Sequence, residues 1–391
     1  MSTQHNFRLL LGALLLCFCL AFVAGFGVHQ LWGQVEQTAR PAKLLGQFWE
    51  AWALVEEYFY GELPPAQERT YGAIRQALTL LNDPYTVFVE PQPRELERDR
   101  LRGAFGGIGV ALESNPEGDI LLSPHPDSPA ERAGVVAGDI LLALDGEEIA
   151  VGATVDDISA RLHGEVGTPV TLTISHPPTP PFDLTITREE IQVPSVTWRM
   201  LERAPDVGYM RIESFTERTG DEAAAAIREM QAQGVAALIL DLRDNSGGLI
   251  SPAVATVGHF IHDGVVLYEL TRREPEEQAV EVQGGSIAAD IPLVVLVNGG
   301  TASAAEIVAG ALQDHGRAAL VGEPTFGKGS VQLIYEISDG SSVHITSAVW
   351  LTPDRKRIEG KGLTPDVHVV RGDGPQDEQI ERAVMYLLSR D

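Results

Sequence analysis

The chain has 391 residues, 44% of them hydrophobic, with 39 glycines, 24 prolines and a formal net charge of −26. Such a length asks for two or three domains with separate cores, and the apolar share excludes a disordered chain. Nucleic acid is excluded as a main partner, as is charge-driven binding to an anionic membrane surface, because both need basic patches.

At the N-terminus, Arg8 precedes LLLGALLLCFCLAFVAGFGV, an uncharged stretch of about twenty residues, long enough to span a bilayer as a helix. Residues 1–30 are read as a membrane anchor that leaves the rest of the chain outside the cytoplasm. Small residues near 23–25 supply the alternative, a cleaved signal and a secreted protein. Cys17 and Cys19, the only cysteines, both fall in this stretch. The remaining chain therefore offers no disulfide, thiol nucleophile or cysteine zinc site.

Residues 31–102 read as a small helical region. Leu45, Phe48, Trp52, Val55 and Phe59 recur at helical spacing, a stripe expected to be core. A second helix in TYGAIRQALTLLN stops at Asp83–Pro84, and RELERDRLRG makes a third, charged one. The apolar face either packs internally or joins a second copy into a homo-oligomer.

From 103 to 190 the texture changes to short strands and turns. GGIGVALE is a glycine-rich loop entering a strand. SPAERAGVVAGDILLALDGEEI gives a short helix, a buried strand, and turns at Gly138–Asp139 and Asp145–Gly146. VDDISARLHG is an amphipathic helix, and TPVTLTISHPPTPPFDLTITRE holds two strands. This order resembles a PDZ domain. Successive N–H groups of Gly106, Gly107, Ile108 and Gly109 can form a nest for a C-terminal carboxylate. The following strand can take an extended peptide by strand addition, with Ile108, Val110, Ile158 and Leu162 lining the pocket for its last, apolar side chain.

From 191 to 391 strands and helices alternate, so the fold class is α/β for this core plus β for the domain before it. GDEAAAAIREMQAQG is helical, while VAALILDLR and IPLVVLVN are continuous apolar strands suited to a sheet covered on both faces. The second of these runs into GGTASAAEIVAGALQ. Ser303 followed by Glu306 is a capping box that starts a helix, and it also puts a hydroxyl at the carboxyl edge of the sheet, where such folds place active sites.

A serine needs a base before it is a nucleophile. His259, His262, His315, His344 and His368 are available, and none sits in a motif that calls for catalysis. Lys328 lies between two glycines at the entry to an apolar strand, where burial would favour its neutral amine. Gln332, four residues on, faces the same side of an extended strand and can orient the amine or the serine.

Together VNGGTASAAEI, FGKGSVQ, DLRDNSGG and GKGLTPDV resemble the carboxyl-terminal processing peptidases, also called tail-specific proteases, over most of the chain from about residue 48. The resemblance implies an α/β protease core behind a PDZ domain, with Ser303 as nucleophile, Lys328 as general base and Gln332 as its supporting amide. Oxyanion donors are then sought in the N–H of Ala304 and in that of Gly247 or Gly248. It further implies a serine endopeptidase, without metal or cofactor, that captures the free apolar C-terminus of a partly unfolded protein, so the partners are protein or peptide substrates with free C-termini. Two positions depart from the family pattern. Ser246 replaces the usual proline before the glycines, and His163 stands where an arginine is more common. In some members that arginine couples peptide binding to protease alignment. At His163 such coupling would depend on pH near 6.5; otherwise the residue is a solvated helix-end histidine.

Overall fold

The computed structural model describes residues 45–389 apart from 151, 177, 274–275, 373 and 375. The apolar segment read as an anchor, with Cys17 and Cys19, lies outside the described residues. Among the described residues, no helix is long and apolar enough to cross a membrane. Two compact units divide the chain, Met1–Ala73 and Ile74–Asp391.

In the first unit residues 45–58 are helical, as the spacing predicts. The stripe is not core, however. Leu45, Phe48, Val55 and Phe59 are all exposed, and Trp52 alone of the stripe is partly covered, by the Arg69 guanidinium over its ring.

In the second unit the charged helix is Pro91–Arg102, ended by Gly103 in the left-handed conformation. The chain then enters a six-strand antiparallel sheet in the order Val110–Ser114, Ile120–Pro124, Asp139–Leu144, Pro169–Ser175, Phe182–Thr187, with the short Glu147–Glu148 also paired to Asp139–Leu144. Ser128 caps the short helix Pro129–Ala133, and a Thr154–Asp157 capping box starts the helix Val155–Leu162. Alternation along Pro169–Ser175 buries Val170, Leu172 and Ile174 in the core of this domain. A separate two-strand ladder, Ala104–Gly107 with Glu189–Gln192, closes its base.

The α/β core is a six-strand sheet in the order Val196–Leu201, Ala204–Ile212, Ala237–Asp241, Leu293–Val297, Ala319–Gly322, Val367–His368. Its first pair is antiparallel and the rest parallel. Leu238, Leu240, Val295 and Val297 pack under the helices Thr219–Ala232, Ile250–Gly258 and Ala304–Asp314. Ile239, Val294 and Leu296 face the other way, onto the helix Glu378–Leu388. Both faces are covered, which is why these strands read as unbroken apolar runs.

A second, antiparallel sheet joins Val87–Val89, Ser342–Leu351, Val265–Thr271 and Gln278–Glu281, with Ser330–Glu336 paired to Ser342–Leu351. The serine therefore comes from the edge of one sheet and the lysine from the start of a strand in the other.

Candidate active site

Ser303 follows Leu293–Val297 and caps the helix Ala304–Asp314. Its backbone sits at φ 54°, ψ −119°, a conformation that non-glycine residues adopt only under constraint from their surroundings. Glu306 supplies much of that constraint. This carboxylate, wholly buried, accepts from Ser303 N–H at 2.9 Å. The reciprocal approach of Glu306 N–H to the serine side chain is in place but falls short of hydrogen-bond geometry. The same carboxylate accepts from Thr325 Oγ1 at 2.5 Å, Gly327 N–H at 2.7 Å and Lys328 N–H at 2.9 Å. One side chain thus ties the serine to the segment that carries the lysine, a link between distant residues that the capping-box pattern did not reveal.

Lys328 is partly buried, and its Nζ donates to Gln332 Oε1 at 2.8 Å. The ladder is irregular between Val331 and Gln332, yet the expected pairing of the two side chains holds. Gln332 Nε2 donates in turn to the Tyr85 carbonyl, and the lysine Nζ lies 5.1 Å from the centre of the Tyr85 ring. Burial pushes the amine below its ordinary 10.5, while the charges of Glu359 and Glu97 work against that shift. Ser303, Lys328, Gln332 and Gly248 all line one cavity of about 600 Å³. The serine hydroxyl makes no hydrogen bond there among the described residues.

The loop after Ala237–Asp241 is sewn to the serine segment. Asn245, fully buried, accepts from Ala302 N–H at 2.9 Å through its carbonyl, and Thr301 Oγ1 donates to the Leu242 carbonyl at 2.8 Å. Gly247 has room for no side chain, since a Cβ there would lie 2.9 Å from both the Ala302 carbonyl oxygen and Ser303 Cβ. Its N–H is already engaged by Asn245 Oδ1 at 2.9 Å. Gly248 differs, for its N–H has no partner among the described residues and it borders the cavity. The Ala304 N–H, at the first position of its helix, also lacks an acceptor. Ser246 is exposed, with Arg100 Nη2 reaching its hydroxyl at 3.4 Å.

Among the histidines of the described residues, only His344 borders this cavity. His259 Nε2 meets the Gly220 carbonyl and His315 Nε2 the Val265 carbonyl, each at 2.8 Å, while His262 pairs with Ser286. His368 lies in the short edge strand of the parallel sheet.

Comparison with known proteins identifies the family. The profile of peptidase family S41 matches residues 206–369, and that of the PDZ domain matches 120–175. A carboxy-terminal-processing protease of Bartonella bacilliformis is 36% identical over 79% of this chain and 71% of its own length. The chloroplastic carboxyl-terminal-processing peptidase 2 of Arabidopsis thaliana is 34% identical over 90% of this chain and 69% of its own. The solved photosystem II D1 C-terminal processing protease is 35% identical, with a TM-score of 0.48 over 83% of this chain and 88% of that one.

The chain belongs to the carboxyl-terminal processing proteases. It is therefore a serine peptidase with a PDZ domain.

In the PDZ domain of this processing protease, Val110–Ser114 is an edge strand with the helix Val155–Leu162 packed beside it. A small cavity of about 60 Å³ lies at the end of that groove, lined in part by Gly107, Ile108, Gly109, Val110 and Leu162. The N–H groups of Ile108 and Gly109 make no hydrogen bond among the described residues. Two expected lining residues are elsewhere. Ile158 is 1% exposed and packs in the domain core, because helical spacing turns it inward where Ser159 faces the groove. Gly106 backs onto Gly164, whose carbonyl oxygen would lie 2.0 Å from a Cβ. Phe105, Leu112, His125, Ser159, His163 and Ile191 complete the lining, and no sequence pattern marked them for it. His163 is not solvated: it lies partly buried against Phe105, ring centres 4.1 Å apart, and burial lowers its pKa against the pull of Asp99.

Phe105 and His163 also wall a second cavity, of about 490 Å³, with Arg100 and Ser214. Those two residues border a third, of about 130 Å³, which shares Glu97, Leu101, Ser246 and Gly248 with the cavity of Ser303. Shared walls run from the PDZ groove to the serine.

Proposed function

We propose that this protease cleaves partly unfolded proteins whose free, apolar C-terminus is captured by the PDZ domain, with Ser303 as nucleophile, Lys328 as base and Gln332 orienting the amine. The observation that carries the reading is the partly buried Lys328 amine, fixed on Gln332 in the cavity that Ser303 enters. Domain limits of 103–190 for the PDZ domain and 191–391 for the protease core go with it. The carboxylate of the tail sits on the Ile108 and Gly109 amides, and its last side chain between Val110 and Leu162.

In the chemical step, Ser303 Oγ attacks the scissile carbonyl carbon as its proton passes to neutral Lys328 Nζ. The oxyanion is held by the N–H groups of Ala304 and Gly248. Gly247, its amide already engaged by Asn245, shapes the loop and donates nothing. Collapse of the tetrahedral species breaks the C–N bond, and the lysine returns the proton to the departing amine. Water, deprotonated by the same lysine, then releases the acyl group as a carboxylic acid and restores the serine. Hydroxyl and amine share a cavity without bonding in the free protein, and substrate brings them to hydrogen-bond distance, as is common for catalytic pairs.

The same proposal places the catalytic part outside the cytoplasm, on residues 1–30 as anchor, or secreted after their cleavage; the chloroplastic relative supports a site outside the cytosol. The test incubates the purified chain, beside Ser303→Ala, with an unfolded protein ending in an apolar free carboxylate and with its C-terminally amidated twin. Mass spectrometry should show cleavage that needs Ser303 and weakens on amidation. Equal cleavage of the twins would remove the tail-capture step and keep the peptidase chemistry.

A further inference from the structure

The helix Pro91–Arg102 lays a carboxylate into the cavity of Ser303 and Lys328. Glu97 borders that cavity, and so does His344 from the strand Ser342–Leu351. His344 Nε2 stands 3.1 Å from Glu97 Oε2, with 8% of the imidazole exposed. Arg94 Nη1 approaches the same oxygen at 3.6 Å, so a histidine and an arginine together hold the Glu97 carboxylate at the cavity wall.

The charges around Lys328 differ in what they are free to do. From its own strand it meets neutral Gln332, and from the segment before Val87–Val89 the ring of Tyr85. Glu359 accepts Gly329 N–H at 2.8 Å, and Glu306 is engaged by four donors. Glu97 is held by the side chains of Arg94 and His344 at the wall of the same cavity, and its charge reaches the amine. Burial holds the His344 imidazole below its ordinary 6.5, so at neutral and alkaline pH it is an uncharged neighbour of Glu97.

We infer that Glu97, together with Glu359, holds the charge on the Lys328 amine and that His344 seats Glu97 for that task, making both Glu97 and His344 positioning residues of the peptidase reaction. The inference rests on Lys328 acting as the base. A carboxylate beside the amine favours the ammonium, so Glu97 holds back the free base that desolvation would otherwise release. Removing its charge lowers the pH at which the base appears.

The experiment measures kcat/KM against pH for the full chain on a fluorogenic peptide. Glu97→Gln, nearly isosteric, should move the acid limb down by about one pH unit and raise the rate up to tenfold along that limb. Glu97→Asp, which keeps the charge, should stay near wild type. His344→Gln should move the limb in the same direction by less, and should add nothing in the Glu97→Gln background. An unmoved limb in folded Glu97→Gln overturns the role of Glu97. A His344→Gln shift of equal size with and without Glu97 overturns the seating. Lys328→Ala separates this inference from its foundation. If that variant is inactive and the limb still does not move, the inference alone falls; if it is active, the assignment of the base falls and takes the inference with it.

Discussion

The two halves of the catalytic cavity are built differently. On the serine side, Ala237–Asp241 and Leu293–Val297 are buried at every position, and the loops that follow them are cross-linked through Asn245, Thr301 and Glu306. On the lysine side, Ser330–Glu336 is an edge strand, exposed from Leu333 to Glu336 and irregular at Val331–Gln332. The proposed nucleophile and oxyanion amides are thus held by buried strands and cross-linked loops, whereas the proposed base is held by a few polar contacts on an edge strand. Changes on the serine side should break fold and catalysis together. Those on the lysine side should retune protonation and spare the fold.

The largest effect comes from breaking both sides at the chemistry itself. Ser303→Ala and Lys328→Ala should each lower kcat by on the order of 10⁴-fold or more, and the double variant should be no worse than either, since the two act as one unit. Steady-state rates for the three proteins check this, and additive losses would mean that serine and lysine do not share a step. Next comes Gly247→Ala. Its Cβ would sit 2.9 Å from Ser303 Cβ at a residue with φ 103°, so the strain falls on the serine itself. Melting should drop by about 1–3 kcal/mol and activity by about a hundredfold, read by calorimetry and by acylation rate. Gln332→Ala sharpens the contrast: about a tenfold loss of rate with a melting temperature near wild type.

Much of this contrast was legible in the sequence. The serine side is local, being an apolar run, a glycine turn and a serine three residues ahead of a glutamate, so strand, turn and helix follow from chain-neighbour chemistry. The strands and helices of the PDZ domain were legible for the same reason. What stayed hidden depends on elements far apart in the chain. Glu306 reads as a helix cap, and only the folded molecule shows it holding Gly327 and Lys328. Ile158 has the right periodicity for the PDZ groove, but periodicity cannot say which side of an amphipathic stripe meets the core. His344 was one of five unplaced histidines until antiparallel pairing with Val87 and Ile334 brought it beside the lysine. The stripe of residues 45–58 had the pattern of a core helix and is exposed, because an apolar face is not buried until another element covers it.

The smallest effect tests the lysine side by adding a charge. In Gln332→Glu a carboxylate takes the place of the amide oxygen that lies 2.8 Å from Lys328 Nζ. An opposite charge at that distance favours the ammonium, so the pKa, now held below 10.5 by burial, should rise. The acid limb of kcat/KM then moves up by about one pH unit, opposite in sign to Glu97→Gln, while the rate on the high-pH plateau changes little. Melting at neutral pH should change little, because the carboxylate stabilises the buried ammonium but loses the donor that Gln332 Nε2 offers to the Tyr85 carbonyl. Combining the two changes should return the limb toward the wild-type position, since one carboxylate is gained as another is lost. A limb that stays fixed through all three variants would mean that a group other than this amine titrates in the profile. In that case the lysine side, like the serine side, would work through fixed geometry and not through adjustable charge.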